Sequence, residues 1–200
     1  LVSKNTKILV SGYFLFDSQS SHQNTIGDSK NILIAPTWGN DGLITNLDKL
    51  EALSNLYAEH KYKLTIRPHP MTFLDKILIK KLEKFNLDTS NEVKNFGIYD
   101  FLITDFSGIA LEYYFFTRKP TLFIESNKKI KRKIKKAEFK FSLIENEMQE
   151  IIGSKFKIDK DYNKYVYPTI LNSEKADSFI ETFQNKKSSV KYVGEFLLEN

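Results

Sequence analysis

Short apolar runs alternate along the chain with longer stretches in which apolar residues recur every three or four positions. The runs predict buried strands and the longer stretches predict amphipathic helices. We predict strands at 7–11, 32–35, 63–67, 101–104 and 120–124, with a weaker pattern at 87–89. We predict helices at 46–60, 73–85, 108–116, 141–152 and 173–183, with Asn46 and Ser173 as N-caps.

The alternation of strands and helices predicts an α/β fold, a Rossmann-like three-layer sandwich with a parallel sheet and helices on both faces. The polar residues 18–30 indicate a loop, and residues 184–200 are expected to form a C-terminal tail behind a domain at 1–183. In such sheets, ligands bind beyond the carboxyl ends of the strands. We therefore look for chemistry at those ends.

Composition and charge narrow the possible functions. The chain has no cysteine, which excludes disulfides, thiolate metal sites and a cysteine nucleophile. The three histidines lack metal-ligand spacing, so we expect no zinc site. We expect no other metal and no cofactor. The net charge of +5 suits an anionic ligand or an anionic membrane face. No apolar run approaches the roughly 18–20 residues of a membrane span. Because the first residue is Leu1 and no signal peptide follows, we expect a piece of a longer protein.

The first two strand ends carry unusual residues. The strand at 32–35 leads into Pro36-Thr37-Trp38-Gly39, which contains the chain's one tryptophan and is either a plain turn or a ligand contact. The strand at 63–67 ends in Arg67-Pro68-His69-Pro70. Two prolines fix the backbone around one imidazole, which suits phosphate contact or proton transfer. A lone histidine is more often structural, but the neighbouring arginine favours a functional role.

The third strand end is Thr104-Asp105-Phe106-Ser107-Gly108-Ile109, with Glu112 one turn into the following helix. Backbone N–H groups at a helix start and the Ser107 hydroxyl form a ready anion site, and Gly108 permits close approach of a phosphate. Glu112 could accept hydrogen bonds from ribose hydroxyls. The alternative is an ordinary turn in which Ser107 is the N-cap. No Walker loop and no GxGxxG motif occurs.

A basic run at 128–136 holds seven lysines or arginines in nine residues. It is either a solvated helix face or a contact for anionic lipid or a polyanionic acceptor.

Together, ILIAPTW at 32–38, RPHP at 67–70 and LITDFSGIALEYYFFTRKPTLFI at 102–124 resemble the carboxyl-terminal half of the CDP-glycerol glycerophosphotransferases, which make teichoic acids and related capsule polymers. GYFLFD at 12–17 resembles the G-x-P-x-x-D segment of that family. The resemblance implies one half of a GT-B fold that holds the nucleotide donor. It also implies that the amino-terminal acceptor domain, with its His-Gly motif, is absent from this chain.

The resemblance further implies a reaction and its residues. An alditol phosphate moves from CDP to a hydroxyl of a lipid-linked or polyanionic polymer. The protein is expected at the inner face of the cell membrane, and no nucleic acid is expected as a partner. Arg67 and His69 meet the donor phosphates, with His69 catalytic. Ser107 and Gly108 hold the diphosphate and Glu112 holds the ribose. The remaining expected donor contacts are Thr37, Trp38, Thr104, Asp105 and Ile109.

Several departures from the family pattern keep alternatives open. Gly108 replaces the second serine of the usual pair, Glu112 replaces the usual aspartate, and the stretch also resembles a motif of the UDP-GlcNAc 2-epimerases. The base of the donor is therefore cytidine or uridine. The residues after Ile124 lack the usual R-G-F/Y segment, which leaves the alditol and the acceptor open. A UDP-sugar transferase and a noncatalytic nucleotide-binding module are the other interpretations.

Overall fold

The structure is a computed structural model, and it describes residues 9–18, 29–39, 42–90, 93–105, 107–124, 147–156, 167–184 and 188–199. The predicted basic run at 128–136 lies outside these residues, as does most of the predicted loop. None of the helices within these ranges has the length and apolar character that a membrane span requires.

The core of the fold is a five-stranded parallel sheet. In chain order its strands are β1 (Asn31–Ile34), β2 (Lys63–Ile66), β3 (Phe101–Thr104), β4 (Thr121–Ile124) and β5 (Gly153–Phe156). They lie in the spatial order β2-β1-β3-β4-β5. After β1, the chain adds β2 on one side; it then crosses to the other side of β1, where β3, β4 and β5 follow in order. The carboxyl ends of β1 and β3 flank the resulting crevice, where ligands bind in open α/β sheets.

Helices cover both faces of this sheet, which confirms the predicted layered α/β fold. Helices α1 (Leu47–Glu59) and α2 (Lys76–Leu82) cover the face formed by Ile32, Ile34, Phe101, Ile103, Leu122 and Ile124. Helices α3 (Ile109–Thr117) and α4 (Ser173–Glu181) pack against the opposite face with Leu33, Leu102 and Phe123. Because both faces are buried, the central strands β1, β3 and β4 are mostly apolar, as in other parallel sheets.

Most predicted elements are confirmed, with shifted ends. Asn46 caps α1, and its side chain accepts a hydrogen bond from the Lys49 N–H. The helix predicted at 73–85 is shorter than expected because Pro70–Leu74 forms a 3-10 helix and Asp75 then caps α2. The cap of α4 is Asn172 instead of Ser173, since the Asn172 side chain accepts from the Lys175 N–H.

The two ends of the chain contain structure that the sequence pattern did not predict. Residues 9–11, the described part of the strand predicted at 7–11, do not join the sheet, and Val10 is 83% exposed. The stretch predicted as a tail contains helix α5 (Ser189–Glu199). Asp17, in the 3-10 helix Phe14–Ser18, accepts hydrogen bonds from the first amides of α5, which fixes where that helix begins.

Strand β5 was not predicted, because its sequence Gly-Ser-Lys-Phe is only partly apolar. Residues 147–151 are helical and belong to the helix predicted at 141–152, and β5 begins after residue 152. A Cβ at Gly153 would lie 1.9 Å from the Thr121 carbonyl oxygen, so the glycine permits β5 to approach β4. The weaker pattern at 87–89 yields a single bridge between Leu87 and Ile66.

Candidate functional site

A cleft of about 390 Å³ opens beyond the carboxyl ends of β1, β2 and β3. Its volume lies within the range of sites for small ligands. Three segments of the chain that follow these strands, together with Phe96, form its walls: Ala35, Pro36, Arg67, Pro68, His69, Pro70, Phe96, Ser107, Gly108, Ile109 and Glu112. The cleft therefore lies at the crevice that the strand order predicts.

Arg67 follows β2 and supplies the cleft with a buried cation, only 5% exposed. Its Nε and Nη2 both donate to Oδ2 of Asp88, and its guanidinium lies 4.8 Å from the centre of the Phe96 ring. These contacts fix the plane of the guanidinium. Asp88 balances part of the charge of Arg67 and leaves one edge of the fork for a ligand.

Asp88 is itself tightly held. Its other oxygen, Oδ1, accepts from the N–H and the hydroxyl of Ser90. Burial alone would raise the pKa of the Asp88 carboxyl, but the hydrogen bonds from Ser90 and Arg67 outweigh it and lower that pKa. Asp88 is therefore charged at neutral pH, and the ion pair with Arg67 is maintained.

His69 lies between two prolines and caps the following 3-10 helix. Its Nδ1 accepts a hydrogen bond of 3.1 Å from the Met71 N–H. An accepting Nδ1 means that the proton of the neutral ring is on Nε2. Trp38 stacks on the imidazole with ring centres 6.1 Å apart and planes inclined by 29°. His69 is thus oriented to present an N–H donor to a ligand.

Helix α3 begins at the cleft, and Gly108 is its N-cap residue. No side chain caps this helix, and the Ser107 carbonyl accepts from the Ala110 N–H. The simpler interpretation, with the Ser107 hydroxyl as the cap, is therefore wrong. Within the described part of the chain, no hydrogen bond engages the N–H groups of Gly108 and Ile109. Such amides at a helix start favour an anion.

Gly108 has no internal reason to be glycine. Its φ of −60° is accessible to any residue, and a Cβ there would have no atom within 4 Å. By contrast, a Cβ at Gly42 would lie 2.9 Å from the Thr37 carbonyl oxygen, so that glycine is required by the fold. The missing side chain at Gly108 leaves open space on the wall of the cleft.

Glu112 lies one turn into α3, at the edge of the cleft. Its Oε1 accepts a hydrogen bond of 2.6 Å from the Tyr13 hydroxyl. Burial and the adjacent Glu112 carboxylate raise the pKa of Tyr13 above its usual range, so this hydroxyl remains a donor. One carboxylate oxygen is therefore held by the protein, while the other has no partner within the described residues.

Thr104 and Asp105 are buried and do not line the cleft. The Thr104 hydroxyl donates to the Ala35 carbonyl at 2.6 Å. Asp105 accepts from the N–H groups of Thr37 and Leu43 at 2.7 and 3.1 Å. Both side chains thus hold the segment after β1 against the end of β3, which places them behind the site.

The structure therefore brings most of the predicted residues to one cleft. Those that line it are Arg67, His69, Ser107, Gly108, Ile109 and Glu112. Trp38 stacks on His69. The N–H of Thr37 donates to Asp105, which lies behind the cleft. Sequence reasoning missed Asp88, Tyr13 and Phe96. No local pattern marks Asp88 and Phe96, whereas Tyr13 lies in the motif-like segment at 12–17.

Two known teichoic acid polymerases are similar to this chain. The teichoic acid poly(glycerol phosphate) polymerase of Staphylococcus epidermidis is 28% identical over 193 residues, covering 90% of this chain and 26% of that protein. A solved structure of the wall teichoic acid polymerase TagF, soaked with CDPG, is 25% identical. It covers 88% of this chain and 42% of the solved chain, with a TM-score of 0.42.

This chain spans about a quarter of the curated relative that it matches. The model of one protein family matches residues 15–144, which include the carboxyl ends of β1, β2 and β3 and the start of α3. By that match, the chain belongs to the CDP-glycerol:poly(glycerophosphate) glycerophosphotransferase family.

Proposed function

We propose that the cleft binds a CDP-linked alditol and that the protein transfers its glycerol phosphate, or another alditol phosphate, to a hydroxyl of a cell-surface polymer. The observation that carries this proposal is the convergence of Arg67, His69 and the start of α3 on one cleft. A cation, an N–H donor and a helix N-terminus together suit a diphosphate.

Each wall of the cleft would contact a different part of the donor. Arg67 and His69 follow β2, whereas Ser107 and Gly108 follow β3, so the diphosphate would lie between the two groups. Glu112 is four residues beyond Gly108, or about 6 Å along the helix axis. That spacing places a carboxylate beside the sugar that is joined to the phosphates. Its unpartnered oxygen would accept from the ribose hydroxyls.

The reaction then follows from the placement of charge. The acceptor oxygen forms a bond to the phosphorus of the glycerol phosphate, and the bond from that phosphorus to the bridging oxygen breaks. CMP leaves with the electron pair of that bond. Nε2–H of His69 and the guanidinium of Arg67 stabilise the charge that develops on the leaving phosphate. The proton of the acceptor passes to a general base, which the family resemblance assigns to an amino-terminal domain.

The organisation of the whole protein is part of the same proposal. Residues 1–183 would form the donor-binding half of a GT-B fold, facing an acceptor domain. Family membership and a similar teichoic acid poly(glycerol phosphate) polymerase support a teichoic acid or related polymer as the acceptor. The basic run at 128–136 would hold the protein at the inner face of the membrane, against anionic lipid.

Isothermal titration calorimetry with CDP-glycerol, CTP and UDP-GlcNAc tests the choice of donor. We expect binding of CDP-glycerol and CTP and at least about tenfold weaker binding of UDP-GlcNAc. Preferential binding of UDP-GlcNAc would instead favour a UDP-sugar enzyme. Absence of all binding at millimolar concentration would contradict both nucleotide donors and favour a noncatalytic binding module that keeps only the fold.

A further inference from the structure

Tyr13 is not among the residues that line the cleft, yet it contacts one of them. Its hydroxyl donates to Oε1 of Glu112 at 2.6 Å, across 99 positions of sequence. Tyr13 belongs to the segment that precedes the sheet, whereas Glu112 belongs to α3. The contact therefore joins two distant parts of the chain at the edge of the cleft.

Tyr13 is itself fixed to the body of the domain. Its backbone N–H donates to the Phe183 carbonyl at 2.7 Å. Its ring and that of Phe16 pack edge to face, with ring centres 4.9 Å apart. Phe16 is buried and stacks on Phe115 of α3, with ring centres 3.7 Å apart and nearly parallel planes. Tyr13 is thus anchored to the same helix that carries Glu112.

The hydrogen bond determines which atoms of Glu112 remain for a ligand. A free glutamate at the edge of a cleft samples several rotamers, and ordering such a side chain on binding costs affinity. Tyr13 orders the carboxylate in advance. Oε2 and the second lone pair of Oε1 can still accept hydrogen bonds, which is what two adjacent hydroxyls on one ligand require.

We propose that Tyr13 is a positioning residue that sets the preference of the site for ribonucleotides. It holds the Glu112 carboxylate in the rotamer that accepts the vicinal 2′- and 3′-hydroxyls of the donor. This proposal rests on the proposed function, because it requires that Glu112 accepts hydrogen bonds from the ribose of the donor. Tyr13 does not touch the ligand in this account, and it acts only through Glu112.

The test compares CDP with 2′,3′-dideoxy-CDP by titration calorimetry on the protein and on Tyr13→Phe. Removal of the hydroxyl should weaken CDP about 2- to 13-fold, the factor for ordering one flexible side chain, and should leave dideoxy-CDP unchanged. The ring and its contact with Phe16 are kept in this variant. Tyr192→Phe, on α5, is the matched control and should bind both ligands as the wild type does.

Glu112→Gln separates this proposal from the proposed function. If Glu112→Gln weakens CDP selectively, the ribose contact stands, and Tyr13→Phe in the same background should cause no further loss. If Tyr13→Phe then leaves CDP unchanged, tightens it or weakens both ligands equally, the role of Tyr13 is refuted while the ribose contact survives. If Glu112→Gln shows no selectivity, or if the wild type does not bind CDP, both proposals fail.

Discussion

Asp105, directly after β3, accepts a hydrogen bond of 2.7 Å from the Thr37 N–H, in the segment that follows β1. Its second oxygen accepts from the Leu43 N–H. One buried carboxylate therefore joins the two strand ends that flank the crevice. The TDFSG motif thus serves the site in two ways: its aspartate fixes the neighbouring segment, and its serine and glycine face the cleft.

Asp105→Ala should lower the free energy of unfolding, because Asp105 has a structural role behind the cleft. The substitution leaves the N–H groups of Thr37 and Leu43 without their acceptor in a buried region, which costs about 1–3 kcal/mol for each such group. We expect urea denaturation to show a loss of about 2–6 kcal/mol in the free energy of unfolding. Glu59→Ala, at the exposed end of α1, is the control and should change stability little. Equal stability of Asp105→Ala and wild type would contradict the structural role.

Asp88→Asn should alter the pH dependence of stability. The pKa of Asp88 is lowered in the folded protein from its ordinary value of 3.8, so the unfolded chain binds a proton more readily. The contribution of Asp88 is therefore fully present above the unfolded pKa and is lost as the pH falls through the folded one. We expect the stability difference between wild type and Asp88→Asn to be constant from pH 5 to 7 and to shrink below about pH 4. A difference that does not change down to pH 2 would show that the charge of Asp88 contributes nothing.

In the full-length protein, His69→Ala should lower turnover by at least about 100-fold with a smaller effect on KM. The imidazole acts on charge that develops in the transition state, and such groups supply factors of about 10² to 10⁴. The measurement is CMP release from CDP-glycerol with acceptor. His60→Ala, at a position between α1 and the amino-terminal end of β2, should keep wild-type turnover. A rate for His69→Ala within threefold of wild type would reduce His69 to a structural cap of its 3-10 helix.

The sequence predicted four of the five strands and most of the residues that line the cleft, for identifiable reasons. Buried parallel strands are short apolar runs, and the polar residues at their ends are conspicuous against them, as at Arg67 and Ser107. Contacts between distant segments leave no such local pattern. The hydrogen bonds from Tyr13 to Glu112 and from Arg67 to Asp88 depend on how separate elements pack, and strand β5 is polar enough to be overlooked.

The central claim, that the nucleotide lies against the start of α3, is tested most directly at Gly108. The open space at this position predicts that Gly108→Val still folds, because a Cβ added there would have no protein atom within 4 Å. The same side chain would occupy the place of the phosphates. Gly194→Ala, where a Cβ also meets nothing within 4 Å, is the matched control on α5. Calorimetry should show loss of CDP binding for Gly108→Val and normal binding for Gly194→Ala. Normal binding of CDP by a folded Gly108→Val variant would place the nucleotide elsewhere and contradict the account.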